Sequence, residues 1–183
     1  MKNRCLLPVI CCLLALIISC KQKSDFSAEI SRLDSALASV KNSDSILRLV
    51  DTAGVRRIIA LTDEKLSGVS AQLRADTLRK SSAIFLSDCY ETLRHLQGGL
   101  ENRKYHLKAL GESKVHLEAL AHDLKENLLD KNKASEYVVT ELKECGKLTS
   151  SALDIPKKMN ASAAILDTLQ SRIAAFADSI QLK

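Results

Sequence analysis

Seven positions spaced seven residues apart, Val138, Cys145, Ala152, Met159, Leu166, Ile173 and Ile180, are all apolar. In a chain that is 46% apolar, a frame of seven fills this way by chance about 0.4% of the time, so the repeat is a folding signal. A seven-residue period keeps one stripe of an α-helix turned toward one partner. Leu142, Ala163, Leu169 and Phe176 widen that stripe. Pro156 falls inside the series without shifting its phase. A loop would reset the register, so Pro156 is expected to kink a long helix rather than end it.

The stretch before it carries a second seam. Leu86, Leu93, Leu100, Leu107, Ala121 and Leu128 share one frame, with Lys114 its only charged member between Leu86 and Leu128. The partner frame holds Ala75, Ser82, Cys89, Leu96, Leu110, Leu117 and Leu124, with Arg103 as the exception. The register runs unbroken through Gly98-Gly99, a pair that costs about 2 kcal/mol inside a helix. Continuity of phase favours one long helix. A turn at the glycine pair would instead give a shorter bundle of four or five helices.

The first third is less regular. Phe26, Ile30, Leu33, Leu37 and Val40 keep helical spacing, and Ser24 or Asp25 is placed to cap that helix. Lys41-Asn42-Ser43-Asp44 reads as a break or kink. Beyond it Ile46, Leu49, Val50, Ile58, Leu61, Leu66, Val69 and Leu73 form a loose apolar series, with Gly54 and Gly68 as weak points. Asp130-Lys131-Asn132-Lys133 is a polar helix–helix turn. The apolar segments therefore span 25–71, 74–130 and 133–181. The expected fold is all-α: an elongated antiparallel helical bundle with coiled-coil-like packing, of three long helices or four to five shorter ones, roughly 70–85 Å long. Two prolines and six glycines exclude collagen-like, mucin-like and Pro/Gly-rich disordered chains. Six cysteines in 183 residues are too few for a disulfide-stapled scaffold.

Four of those cysteines lie in the first twenty positions, where the sequence changes character. Lys2 and Arg4 are followed by fourteen uncharged residues from Cys5 to Ile18. A helix of that length covers about 21 Å, short of the roughly 30 Å hydrocarbon core, but it suits the apolar region of a cleaved export signal. The stretch ends in Ile17-Ile18-Ser19-Cys20, which resembles the lipobox of bacterial lipoproteins. The resemblance covers about twenty residues. It implies that the Cys20 thiol receives a diacylglycerol and that the chain is cut between Ser19 and Cys20. Only a thiol forms the thioether, and a bulky residue before it would obstruct the peptidase. The expected organisation is thus a signal peptide at 1–19, a lipidated cysteine and short tether at 20–24, and a helical bundle domain at 25–183. Loss of Lys2 and Arg4 takes the formal charge from +5 to +3. Lys21 and Lys23 stand beside the anchor, where anionic headgroups attract them.

No catalytic constellation emerges. Gly-x-Ser-x-Gly, Ser-x-x-Lys, Cys-x-x-Cys and a glycine-rich phosphate loop are all lacking. Cys89 and Cys145 invite a disulfide, but a turn near residue 131 sets Cys145 opposite residue 118, about 43 Å from Cys89. Both sit in seams, as small core residues. His95, His116 and His122 each follow a glutamate by four residues, Glu91, Glu112 and Glu118. That spacing suits a surface ion pair or a metal, yet neither Glu-x-x-His nor His-Glu-x-x-His occurs. No metal or cofactor is expected. The cluster Arg103-Lys104-His106-Lys108 offers a basic patch, flanked by Glu101 and Glu112. Nucleic acid is disfavoured, since no basic stripe carries stacking aromatics.

The expectation from these residues is a lipid-anchored cell-envelope protein, held at a membrane and facing the periplasm or the surface. It acts as a non-catalytic helical binding or structural module with an envelope protein partner. Lys114 and Arg103 are candidate points where the seam opens to a partner helix. The alternatives are a metal-binding or enzymatic bundle built on the Glu/His pairs, and a carrier of hydrophobic ligands.

Overall fold

The computed structural model describes residues 25–72 and 80–181, which fold into four α-helices. They are α1 (Ser27–Arg48), α2 (Thr52–Gln72), α3 (Lys80–Lys125) and α4 (Lys131–Gln181). Among the described residues there is no strand, and the fold is an all-α helical bundle. The helices form three arms, because α1 and α2 follow each other along the groove between α3 and α4 and make no contact with one another. With 46 and 51 residues, α3 and α4 are about 69 and 76 Å long.

Each arm buries the stripe its heptads define. On α4, Val138, Cys145, Ala152, Met159, Leu166 and Ile173 are all buried, and this helix packs against each of the other three. A helix with neighbours on several sides has every stripe position covered, which is why its period is the cleanest. Pro156 lies inside α4. Its ring nitrogen has no proton for the Ala152 carbonyl, yet packing of Ile155 and Met159 on either side carries the helix through. On α3, Leu86, Cys89, Leu93, Leu96, Leu110, Leu117, Ala121 and Leu124 are buried.

The glycine pair is mid-helix, so the alternative of a chain reversal there is not what forms. The two glycines differ. A Cβ on Gly98 would meet nothing within 4 Å, whereas one on Gly99 would stand 2.6 Å from Cγ of Met159. At Gly99 the α3 backbone lies too close to the Met159 side chain of α4 to admit a Cβ, a packing role that spacing alone does not disclose.

The expected break at Lys41–Asp44 is not there. α1 continues through it because Val40, Ser43 and Leu47 are buried on one face, leaving Lys41 and Asn42 to the exposed one. The chain breaks instead at 49–51, where Asp51 caps α2: its Oδ1 accepts the Gly54 N–H at 2.9 Å. A phase slip explains the position. Phe26, Leu33, Val40 and Leu47 keep a seven-residue frame, while Val55, Thr62 and Val69 keep another that is one residue late. A continuous helix would rotate the second stripe about 100° off the core, so the three-residue break resets it. Leu49 and Leu61, expected on the stripe, are exposed, and Leu47 and Thr62 take those places. Thr62 is satisfied there by Nε2 of Gln170, which donates at 2.6 Å.

The α3–α4 turn lies one turn earlier than Asp130–Lys133, at 126–130. Asn127, the one non-glycine with positive φ (54°) among the described residues, closes α3. Its N–H reaches the Leu124 carbonyl and that of Leu128 reaches the Asp123 carbonyl, the paired bonds of a Schellman ending. Leu128 therefore leaves the helix and is exposed, although its frame placed it in the seam. Asp130 then caps α4 through Oδ1 and the Lys133 N–H, which holds its carboxyl below the usual range.

Candidate functional site

Arg103 occupies a seam position and is only half-buried, because what it faces is the break between α1 and α2. Its Nε donates to the Leu47 carbonyl at 2.7 Å. The last carbonyls of a helix have no partner within the helix, and a cation there also complements the helix dipole. Lys114, the other charged seam member, turns outward and lies 3.9 Å from Glu118.

Beside Arg103 the bundle gapes. α2 packs more on α4 than on α3, and across from it α3 presents Gly98, with no side chain to fill the space. The result is an open cleft of about 690 Å³ between α2 and α3. Thr52, Arg56, Ile59 and Ala60 line one wall, and Gln97, Leu100, Glu101, Arg103 and Lys104 the other. Three cations face one carboxylate. None of Arg56, Arg103 and Lys104 has a carboxylate within 4 Å among the described residues. Unpaired cations along a concave, partly apolar wall concentrate a positive potential and suit an acidic segment.

Only half of the basic patch read from the sequence enters this cleft. Lys108 turns away to Glu112 at 3.6 Å, and His106 Nδ1 is 2.8 Å from its own helix's Asn102 carbonyl. Arg56 was not foreseen, since it stands nearly fifty residues from Arg103 in the irregular part of the chain. Its local signal is weak: a basic pair, Arg56-Arg57, just after a capped helix start. Two smaller clefts flank the same helix, about 440 Å³ against α1 and about 400 Å³ against the start of α4.

The cysteines are placed as core residues. Cys89 and Cys145 are buried free thiols, and burial pushes both up from the ordinary thiol range. Cys145 stands beside Ser113 rather than residue 118, so its level on α3 is 24 residues from Cys89, about 36 Å. Of the three Glu/His pairs, only Glu91 and His95 come together, at 3.9 Å. Glu112 and Glu118 are taken by Lys108 and Lys114. Among the described residues no three His, Cys, Asp or Glu side chains converge as a metal-ligand group. Ser19 and Cys20 lie outside the described residues, as does Ala75. No helix among the described residues is long and apolar enough to cross a membrane.

No protein-family model, curated protein or solved structure matches the chain.

Proposed function

We propose that this chain is a lipid-anchored, non-catalytic binding module of a bacterial cell envelope, tethered through acylated Cys20, which docks an acidic segment of an envelope partner in the α2–α3 cleft. The observation that carries the docking is the cleft wall itself, where Arg56, Arg103 and Lys104 face Glu101 without carboxylate partners of their own. The anchor rests on Ile17-Ile18-Ser19-Cys20 behind its apolar stretch. A helical rod with a concave site where three cations face one carboxylate binds by surface complementarity.

A photo-crosslinking residue at Thr52, inside the cleft, is expected to capture the same envelope protein as one at Gln97, while one at Ile165 does not. Capture should weaken with salt and disappear in Arg56→Glu/Lys104→Glu. Equal capture from Ile165, or capture indifferent to the charge reversal, refutes the docking site. Labelled palmitate is expected to enter the unaltered chain and not Cys20→Ala, and incorporation in both refutes the anchor.

A further inference from the structure

Only four residues lie between Cys20 and Asp25, where the described structure begins. An extended chain gains at most about 3.6 Å per residue, so the start of the bundle stays within about 18 Å of the Cys20 backbone. That start is at a defined end of the rod. Phe26 is buried at the head of α1, and the Asp25 carboxylate feels the charge of Lys131, the first residue of α4. The Ala36 carbonyl meets Cys145 Sγ, which sets α1 parallel to α4 with residue 26 level with about residue 135. The α3–α4 turn is therefore held near the anchor, and the far end of α4 lies about 70 Å away.

This end also carries apolar surface with no partner in the fold. Leu128, at the apex of the turn, is 66% exposed, and Tyr137 is 47% exposed about 9 Å up α4. Leu128 is exposed because the Schellman ending at Asn127 turns it out of the helix. Exposed charges at the turn are of both signs, Lys125, Lys131 and Lys133 beside Glu126 and Asp130.

We infer that the α3–α4 turn is a membrane contact, with Leu128 inserted at the bilayer interface and Tyr137 at headgroup level. This rests on the acylation of Cys20 proposed above. The tether length selects the lipid surface over a distant partner, and mixed charge makes the contact apolar, so it does not require anionic lipid. The rod then stands on its turn, and the α2–α3 cleft is presented away from the bilayer.

The chain has no tryptophan, so Leu128→Trp gives a single fluorescent reporter at an exposed site. Ile84→Trp, at a 53% exposed position near the other end of α3, is the control. Each acylated mature variant, residues 20–183, is reconstituted in phosphatidylcholine vesicles with ordinary or brominated acyl chains. Far-UV circular dichroism verifies the fold, and intact mass the acyl group. The expected result is a blue-shifted Leu128→Trp emission that is quenched in brominated lipid, with Ile84→Trp unaffected. Acylated protein in which the two reporters are quenched alike overturns the inference. So does a blue shift at Leu128→Trp without bromine quenching, which identifies a protein contact such as a second copy. A mass without an acyl group instead overturns the anchor reading, and this inference with it.

Discussion

Gly98 and Gly99 are adjacent in one helix, yet alanine at the two positions is expected to act in opposite directions. Replacing a mid-helix glycine by alanine gains about 1 kcal/mol of helix propensity. At Gly98 nothing lies within 4 Å of the new Cβ, so the gain is kept. For a domain of this size that raises Tm by about 2–4 °C. At Gly99 the Cβ would stand 2.6 Å from Cγ and 3.3 Å from Sδ of Met159, where carbon atoms normally rest at about 3.5–4.0 Å. Met159 is 1% exposed and cannot swing into solvent. Overpacking of this kind costs about 1–3 kcal/mol. Offset by propensity, Gly99→Ala should fall between neutral and about 2 kcal/mol destabilising. The second arm of the test is Met159→Ala, which itself costs about 2–5 kcal/mol. In that background Gly99→Ala should become stabilising, a coupling of about 1–3 kcal/mol in the double-mutant cycle. Urea and thermal unfolding followed by far-UV circular dichroism measure all four terms. If Gly99→Ala stabilises as much as Gly98→Ala, or acts equally in both backgrounds, the close approach of α3 to Met159 is not what fixes that glycine.

Asp51→Ala should destabilise by about 0.5–2 kcal/mol through loss of the cap on Gly54, while Asp51→Asn retains most of it; equal Tm values for the two would contradict the capping role. The buried thiols of Cys89 and Cys145 stay protonated in the fold, so a disulfide reagent near pH 8 should label them far more slowly in the native protein than in denaturant. Because the unfolded thiols ionise first, stability should decline as pH rises through their ordinary value near 8.5, and this decline should vanish in Cys89→Ala/Cys145→Ala. At the acid end, Asp25 and Asp130 are held below the usual carboxylate range by the backbone N–H groups of Ser27 and Lys133. Their contribution is present above about pH 4 and lost as pH falls through the lowered values. Tm in Asp130→Asn should therefore depend less steeply on acid than in the unaltered protein, and an unchanged slope would count against the cap.

The cleft was legible in part. Arg103 and Lys104 were visible as a basic patch, and Arg103 as a misfit in an apolar seam. What made it a site is Arg56 across the gap and the missing side chain at Gly98, two facts that join only when α2 is laid beside α3. No local pattern relates Arg56 to Arg103, because their proximity follows from the antiparallel packing of two arms.

The sequence by itself determined the all-α class, the continuity of α4 through Pro156 and the stripe from Val138 to Ile173, and it favoured continuity of α3 through Gly98-Gly99 while leaving a turn and a four- or five-helix bundle open. These depend on periodicity along one helix, and burial of a stripe is strong enough to override a weak residue within it. Only the tertiary structure decided where the first arm breaks, which glycine is needed for packing, that Leu128 is turned out, and that Arg103 caps α1. Each of these depends on the phase of one arm relative to another. Lys41–Asp44 and Leu49–Asp51 are both plausible breaks on polarity and capping. The one-residue slip between Leu47 and Val55 selects the second, and that slip has meaning only against the fixed grooves of α3 and α4.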